Sequence, residues 1–187
     1  MQEESGVKAS EGYLNPEEEP ITGLRRTTLT AMLLALYLAV DILPSPIPLP
    51  FSGLMKFTAF PSLLAGFIVG PWAGAIVGAL GDLLHYALHP RGAYFPGFAL
   101  TGAITGALPA LLVGRRPHTL LRLFLAIGVV QLFTKLLIVP TILDYFFGRP
   151  WQLQVPISAL EQVIHIPLYA YAVYLVLGQW NAYQRNR

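Results

Sequence analysis

The stretch LLRLFLAIGVVQLFTKLLIVPTILDYFF, Leu120 to Phe147, decides what kind of protein this is. It carries only Arg122, Lys135 and Asp144 as charged residues and outlasts the roughly 20 apolar residues that a helix needs to cross the hydrocarbon layer. Working outward from it, five further apolar runs satisfy the same test. They cover approximately residues 27–43, 55–69, 72–88, 97–113 and 154–180. The run at 55–69 is short for a span, and Gly70-Pro71 turns it directly into the next. SPIPLP closes the first run, because proline lacks the amide donor and crowds the preceding helical turn. The expected fold is an all-α integral membrane protein of six transmembrane helices.

Composition agrees with that solvent. Hydrophobic residues make up 55% of the 187 and charged residues 12%, about half the ~25% charge typical of a soluble domain. Six of the ten acids (Glu3, Glu4, Glu11, Glu17, Glu18 and Glu19) fall in the first nineteen residues, leaving Asp41, Asp82, Asp144 and Glu161 in the hydrophobic body. Residues 1–23 therefore read as a disordered acidic tail and 24–187 as the membrane domain. The tail has no basic region leading to a small-residue cleavage site, so it is not read as a signal peptide. The chain has no cysteine, which excludes disulfides and thiolate chemistry.

Lys and Arg set the orientation, because they are retained on the cytoplasmic side. With the N-terminus inside, Arg25, Arg26, Arg115, Arg116, Arg122, Arg185 and Arg187 are cytoplasmic, and Lys56, Arg91 and Arg149 face out. Both termini are thus expected in the cytoplasm. Trp72, Trp180 and Tyr183 read as interfacial anchors.

Charges inside a bilayer are costly, so each asks for a partner, a cavity or a ligand. On the third run Asp82, His85 and His89 share a face at steps of three and four. On the fifth, Gln131 and Lys135 share a face. On the sixth, Ser158, Glu161, Gln162, His165 and Tyr169 form another polar stripe. Three such stripes predict a water-accessible cavity open to the outside, ringed by Trp151, Tyr94, Phe95 and Phe98. Two other readings of the same residues stand beside it. Glu161 and Lys135 form a structural ion pair in the first, and Asp82, His85 and His89 bind a metal in the second.

Some chemistry is not written here. There is no GxxxxGK[ST] loop to cradle phosphates, no GxSxG elbow and no HExxH helix. Energy for transport must then come from a partner or a gradient. No enzyme activity, cofactor or nucleic-acid partner is expected. An integral-membrane enzyme using Glu161 and His165 as acid and base remains the reading from another class.

The proline-rich segment leading to LMKF, and GPWAGAIVGALGDLLHYALHPRGAYFPGFALTGAITG from Gly70 to Gly106, resemble the substrate-binding (S) components of energy-coupling factor (ECF) transporters, most closely the folate type. The resemblance covers roughly residues 24–112; beyond them the last two spans agree in character. It implies a subunit that binds a water-soluble vitamin from outside and topples in the lipid bilayer when docked on a scaffold subunit driven by two ATPases. It also implies a docking face of small residues on the first span, which Ala31, Ala35 and Ala39 supply. The vitamin would be folate, its pterin among Tyr94, Phe95, Phe98 and Trp151 and bonded to Asp82 or Glu161, its carboxylates met by Lys56, Arg91 or Lys135. His85, Gln131 and His165 complete the expected site. Pantothenate is the alternative ligand.

Overall fold

The computed structural model describes residues 23–42, 57–90, 94–114 and 119–185. Among these there are six helices and no strand: α1 (Gly23–Ile42), α2 (Ala59–Ile68), α3 (Pro71–Leu88), α4 (Pro96–Val113), α5 (Leu120–Phe147) and α6 (Trp151–Arg185). The proline-rich segment with Lys56, residues 1–22 of the acidic tail and Arg91 lie outside the described residues.

Local sequence explains where the helices begin and end. Pro71 and Pro96 occupy the first turns of α3 and α4, where a missing amide donor costs nothing. Gly70 takes φ 133° ahead of Pro71, a backbone state closed to side chains with a Cβ, so α2 reverses into α3 without a loop. At the other extreme, α5 stops at Gly148, which adopts a left-handed conformation and returns its amide to Asp144 and Leu143 carbonyls. Thr27, Thr28 and Thr30 satisfy their hydroxyls on carbonyls four residues back, as a polar side chain must when no water is at hand.

Helix α5 is not uniform. Residues Phe133–Ile138 form a π-helical segment between the α-helical parts Leu120–Leu132 and Val139–Phe147. Pro140 follows it and is fully buried; its ring crowds the carbonyl of Leu136, and a widened turn relieves that crowding. The site consequence is that Lys135 sits within the widened turn.

Helices α3 and α4 cross at backbone distance. A methyl group at Gly74 or Gly78 would strike the main chain of Gly106 or Gly102, and one at Gly66 of α2 would strike Gly106 as well. These glycines replace side chains with direct helix contact, the packing that lipid-embedded helices favour. Around this seam α2 is the central element, touching α1, α3, α4 and α6, with Leu63, Leu64 and Ala65 in the core. Its ten residues rise only about 15 Å, half the bilayer core, so the expected run 55–69 is represented by a short internal helix and not by a full described span.

Helices α4, α5 and α6 are each long and apolar enough to cross a membrane by length and composition. Their outward faces present Leu100, Leu111, Leu121, Leu125, Val129, Leu160, Val163 and Leu168, an apolar belt that water would not tolerate at this size and that lipid covers. The backbone of helix α1 comes close only to α2 and α3 among the described residues. One side of it is therefore open, and Ala31, Ala35 and Ala39 are exposed there.

Candidate functional site

The arrangement of helices leaves a gap. Backbones of α1 and α3 do not come within 8 Å of α5 or α6, and the start of α2 closes one side of the space between the two pairs. A cavity of about 240 Å³ occupies it, lined by Tyr37 and Asp41 of α1, Thr58 and Ala59, Asp82 and His85 of α3, Gln131 and Lys135 of α5, and Glu161, Gln162, His165 and Tyr169 of α6. All three polar stripes read from the sequence converge on it. The volume lies just under the about 300–1,000 Å³ of pockets that enclose a drug-sized ligand.

The chemistry of the lining is unbalanced in favour of acceptors. Among the described residues, carboxylates Asp41, Asp82 and Glu161 face a single lysine, Lys135. The Lys135 charge acts on both Asp82 and Glu161, yet no direct ion pair joins it to either among the described residues. The structural ion pair considered from sequence is thus not formed. Gln131 Oε1, Gln162 Oε1 and His165 Nε2 are buried without a hydrogen-bond partner. Gln131 is only 1% exposed. A buried polar atom left unpaired costs about 1–3 kcal/mol, and such atoms gathered around a cavity are what a polar ligand would satisfy.

Aromatic surfaces flank this space. The His165 imidazole stacks on Tyr169 at 5.3 Å and 6°, and Phe57 packs edge-on to both. Tyr37 lies across Gly81, where a Cβ would meet its ring, and lines the cavity together with Thr58. Glycine at the position before Asp82 is what lets the tyrosine reach the cavity.

The other expected residues fall elsewhere. Tyr94, Phe95 and Phe98 do not line the cavity. They join an aromatic cluster in which Phe95 lies 4.1 Å from Phe146, Phe98 6.0 Å from Phe147 and Tyr94 5.0 Å from Tyr86. This cluster fastens the start of α4 to the end of α5. Trp151 opens α6 half exposed. Lys56 and Arg91 lie outside the described residues.

Tyr37, Asp41, Thr58 and Ala59 line the cavity and were not among the residues expected there. The carboxylate against the histidines is Asp41 and not Asp82: His85 Nδ1 lies 2.6 Å from Asp41 Oδ2, and His89 Nδ1 3.7 Å from the same oxygen. Their separation of 44 residues hides the pairing. A signal was nonetheless present, since Tyr37 and Asp41 stand four apart and share a helical face.

Comparison with known proteins gives this geometry a family. The model of the ECF transporter substrate-specific component matches residues 25–183. The chain belongs to the substrate-specific components of ECF transporters. This S component is 26% identical over 129 residues to the folate transporter FolT of Clostridium novyi (strain NT), a match spanning 69% of this chain and 73% of that protein. It is also similar to a crystal structure of FolT bound with folic acid, at a TM-score of 0.67 and 26% identity, over 82% of this chain and 93% of the other. The family and the helices' apolar faces make this S component a membrane transport protein.

Proposed function

We propose that this S component captures folate from outside the cell and delivers it inward as part of an ATP-driven ECF complex. The observation that carries the reading is the acceptor-rich cavity between the α1–α3 and α5–α6 pairs, in a chain similar to a FolT bound with folic acid. A pterin presents a cluster of ring and amino N–H donors, and Asp82, Glu161 and the unpaired amide oxygens of Gln131 and Gln162 are complementary acceptors. The cavity holds one end of so long a molecule. With three carboxylates and one lysine, that end is the pterin and not the glutamate, and Lys56, Arg91 and Arg149 are the cations left for the glutamate carboxylates.

His85 and His165 belong to the same lining, while Tyr94, Phe95 and Phe98, packed in the aromatic cluster, and Trp151 at the start of α6 stand outside it. Ala31, Ala35 and Ala39 on the open side of α1 form the docking face for the scaffold subunit, which two ATPases drive. The orientation that supports this puts Arg25, Arg26 and Arg122 at the cytoplasmic end. At that end Arg26 reaches the Val69 carbonyl at 3.3 Å, and Arg25 lies over Trp180 at 5.7 Å. The protein sits in the cell membrane with both termini and the acidic segment 1–23 in the cytoplasm, and catalyses no reaction itself.

The test is mass spectrometry of small molecules released from the detergent-purified protein, followed by calorimetric titration with folate and with pantothenate. Folate recovered unchanged and bound with one site per chain supports the proposal. Tight binding of pantothenate with indifference to folate overturns the choice of vitamin, and release of a chemically altered molecule overturns the non-enzymatic reading.

A further inference from the structure

Helices α1 and α3 meet at a cluster that the vitamin site does not use up. The side chain of Asp41 is 1% exposed, yet its Oδ2 faces the Nδ1 atoms of both His85 and His89, at 2.6 and 3.7 Å. The ligand atoms of the three residues all lie within 4.8 Å of one another. Ligands about a tetrahedral zinc at ~2.0–2.1 Å stand roughly 3.3 Å apart, so the two measured separations bracket the spacing that one cation demands. The imidazoles are one helical turn apart on α3, their centroids 5.4 Å apart and their planes within 31°, and both present the same nitrogen to the same oxygen.

The cluster is also incomplete as it stands. His85 donates its Nδ1 proton to Asp41, which satisfies that pair, but His89 Nδ1 is buried without a partner. At 3.7 Å His89 makes no hydrogen bond to the carboxylate oxygen it faces, whereas a cation between the three residues engages all of them. Binding replaces the proton held between His85 and Asp41, so neutral imidazoles and a carboxylate remain as ligands.

We propose that Asp41, His85 and His89 form a binding site for a divalent transition cation, zinc by its preference for imidazole and carboxylate donors. The site clips the end of α1 to the end of α3. Asp41 and His85 also line the cavity, so the cation sits on the cavity wall, and occupancy of either site alters affinity at the other by the same factor.

Zinc alone is the probe, which keeps the test independent of the folate reading. Full-length protein in detergent, stripped with a chelator, is titrated with Zn2+ against a chromogenic competitor, and Co2+ is added in parallel as a spectroscopic reporter. The expected result is one ion per chain, visible-region Co2+ bands of a nitrogen-coordinated ion, and at least tenfold weaker binding in His89→Ala and in Asp41→Asn. Thermal melting without metal verifies that each variant is folded; if Asp41→Asn is not, His89→Ala and His89→Gln carry the test. Absence of stoichiometric binding, or binding of equal strength in a folded His89→Ala protein, overturns the proposal.

Discussion

Gln131 separates ligand binding from structure at the level of one side chain. Its amide oxygen is buried with no partner, so Gln131→Leu removes an unsatisfied group while keeping similar volume. In the ligand-free protein the melting temperature should hold or rise; folate affinity should fall about three- to tenfold, the worth of a neutral hydrogen bond. Calorimetry and a melting curve on the same preparation check both. Lys135→Ala should weaken folate more, by about ten- to a hundredfold, because charge-assisted bonds are the stronger class. A Lys135→Ala protein that binds normally would remove the only lysine among the described residues of the cavity from any role in recognition. Much of this residue layer was legible beforehand: Asp82, His85, Gln131, Lys135, Glu161 and His165 were chosen from spacing on single helices, and all six line the cavity. Spacing on one helix cannot pair residues on two, which is why Asp41 was passed over and Asp82 set beside the histidines.

At the scale of helices, the glycines divide into those that hold the bundle together and those that do not. Gly78→Leu puts a side chain into the main chain of α4, where nothing can yield but backbone. It should lower stability by ~3 kcal/mol or more, read as loss of the monodisperse peak or a collapsed melting transition. Gly178 in α6 has nothing within 4 Å, and Gly178→Ala should be neutral or stabilise by up to about 1 kcal/mol through helix propensity. Helix positions were the most legible feature of the chain. The long run at 120–147 was read at its structural limits, and α3 and α4 start one residue before expectation because the proline itself forms the first turn. The π-helical segment was not legible, since widening depends on how Pro140 is packed from outside its own helix. Aromatic placement failed for a related reason. Phe95 and Phe98 pair with Phe146 and Phe147, partners about fifty residues distant that no local pattern announces.

For the molecule as a whole, one open face on α1 gives the docking proposal its test. Ala35→Trp adds bulk at an exposed site on the face of α1 turned away from the buried cavity residues Tyr37 and Asp41. It should leave folate binding within about twofold and abolish uptake in cells that also make the scaffold and ATPase subunits. Loss of binding would move the alanine ridge from docking to internal packing.

The glycine seam between α3 and α4 bears on how cargo leaves. Two helices in main-chain contact behave as one slab, and parting them would open voids along their whole length. Asp82 and His85 are therefore carried on the immobile wall, while Lys135 and Glu161 stand on α5 and α6, whose backbones are separate from α1 and α3 on the cavity side. Any widening of the cavity then falls between the α1–α3 and α5–α6 pairs, where no backbone contact holds the two together. Lys135 and Glu161 stand on one side of that gap, Asp41 and Asp82 on the other.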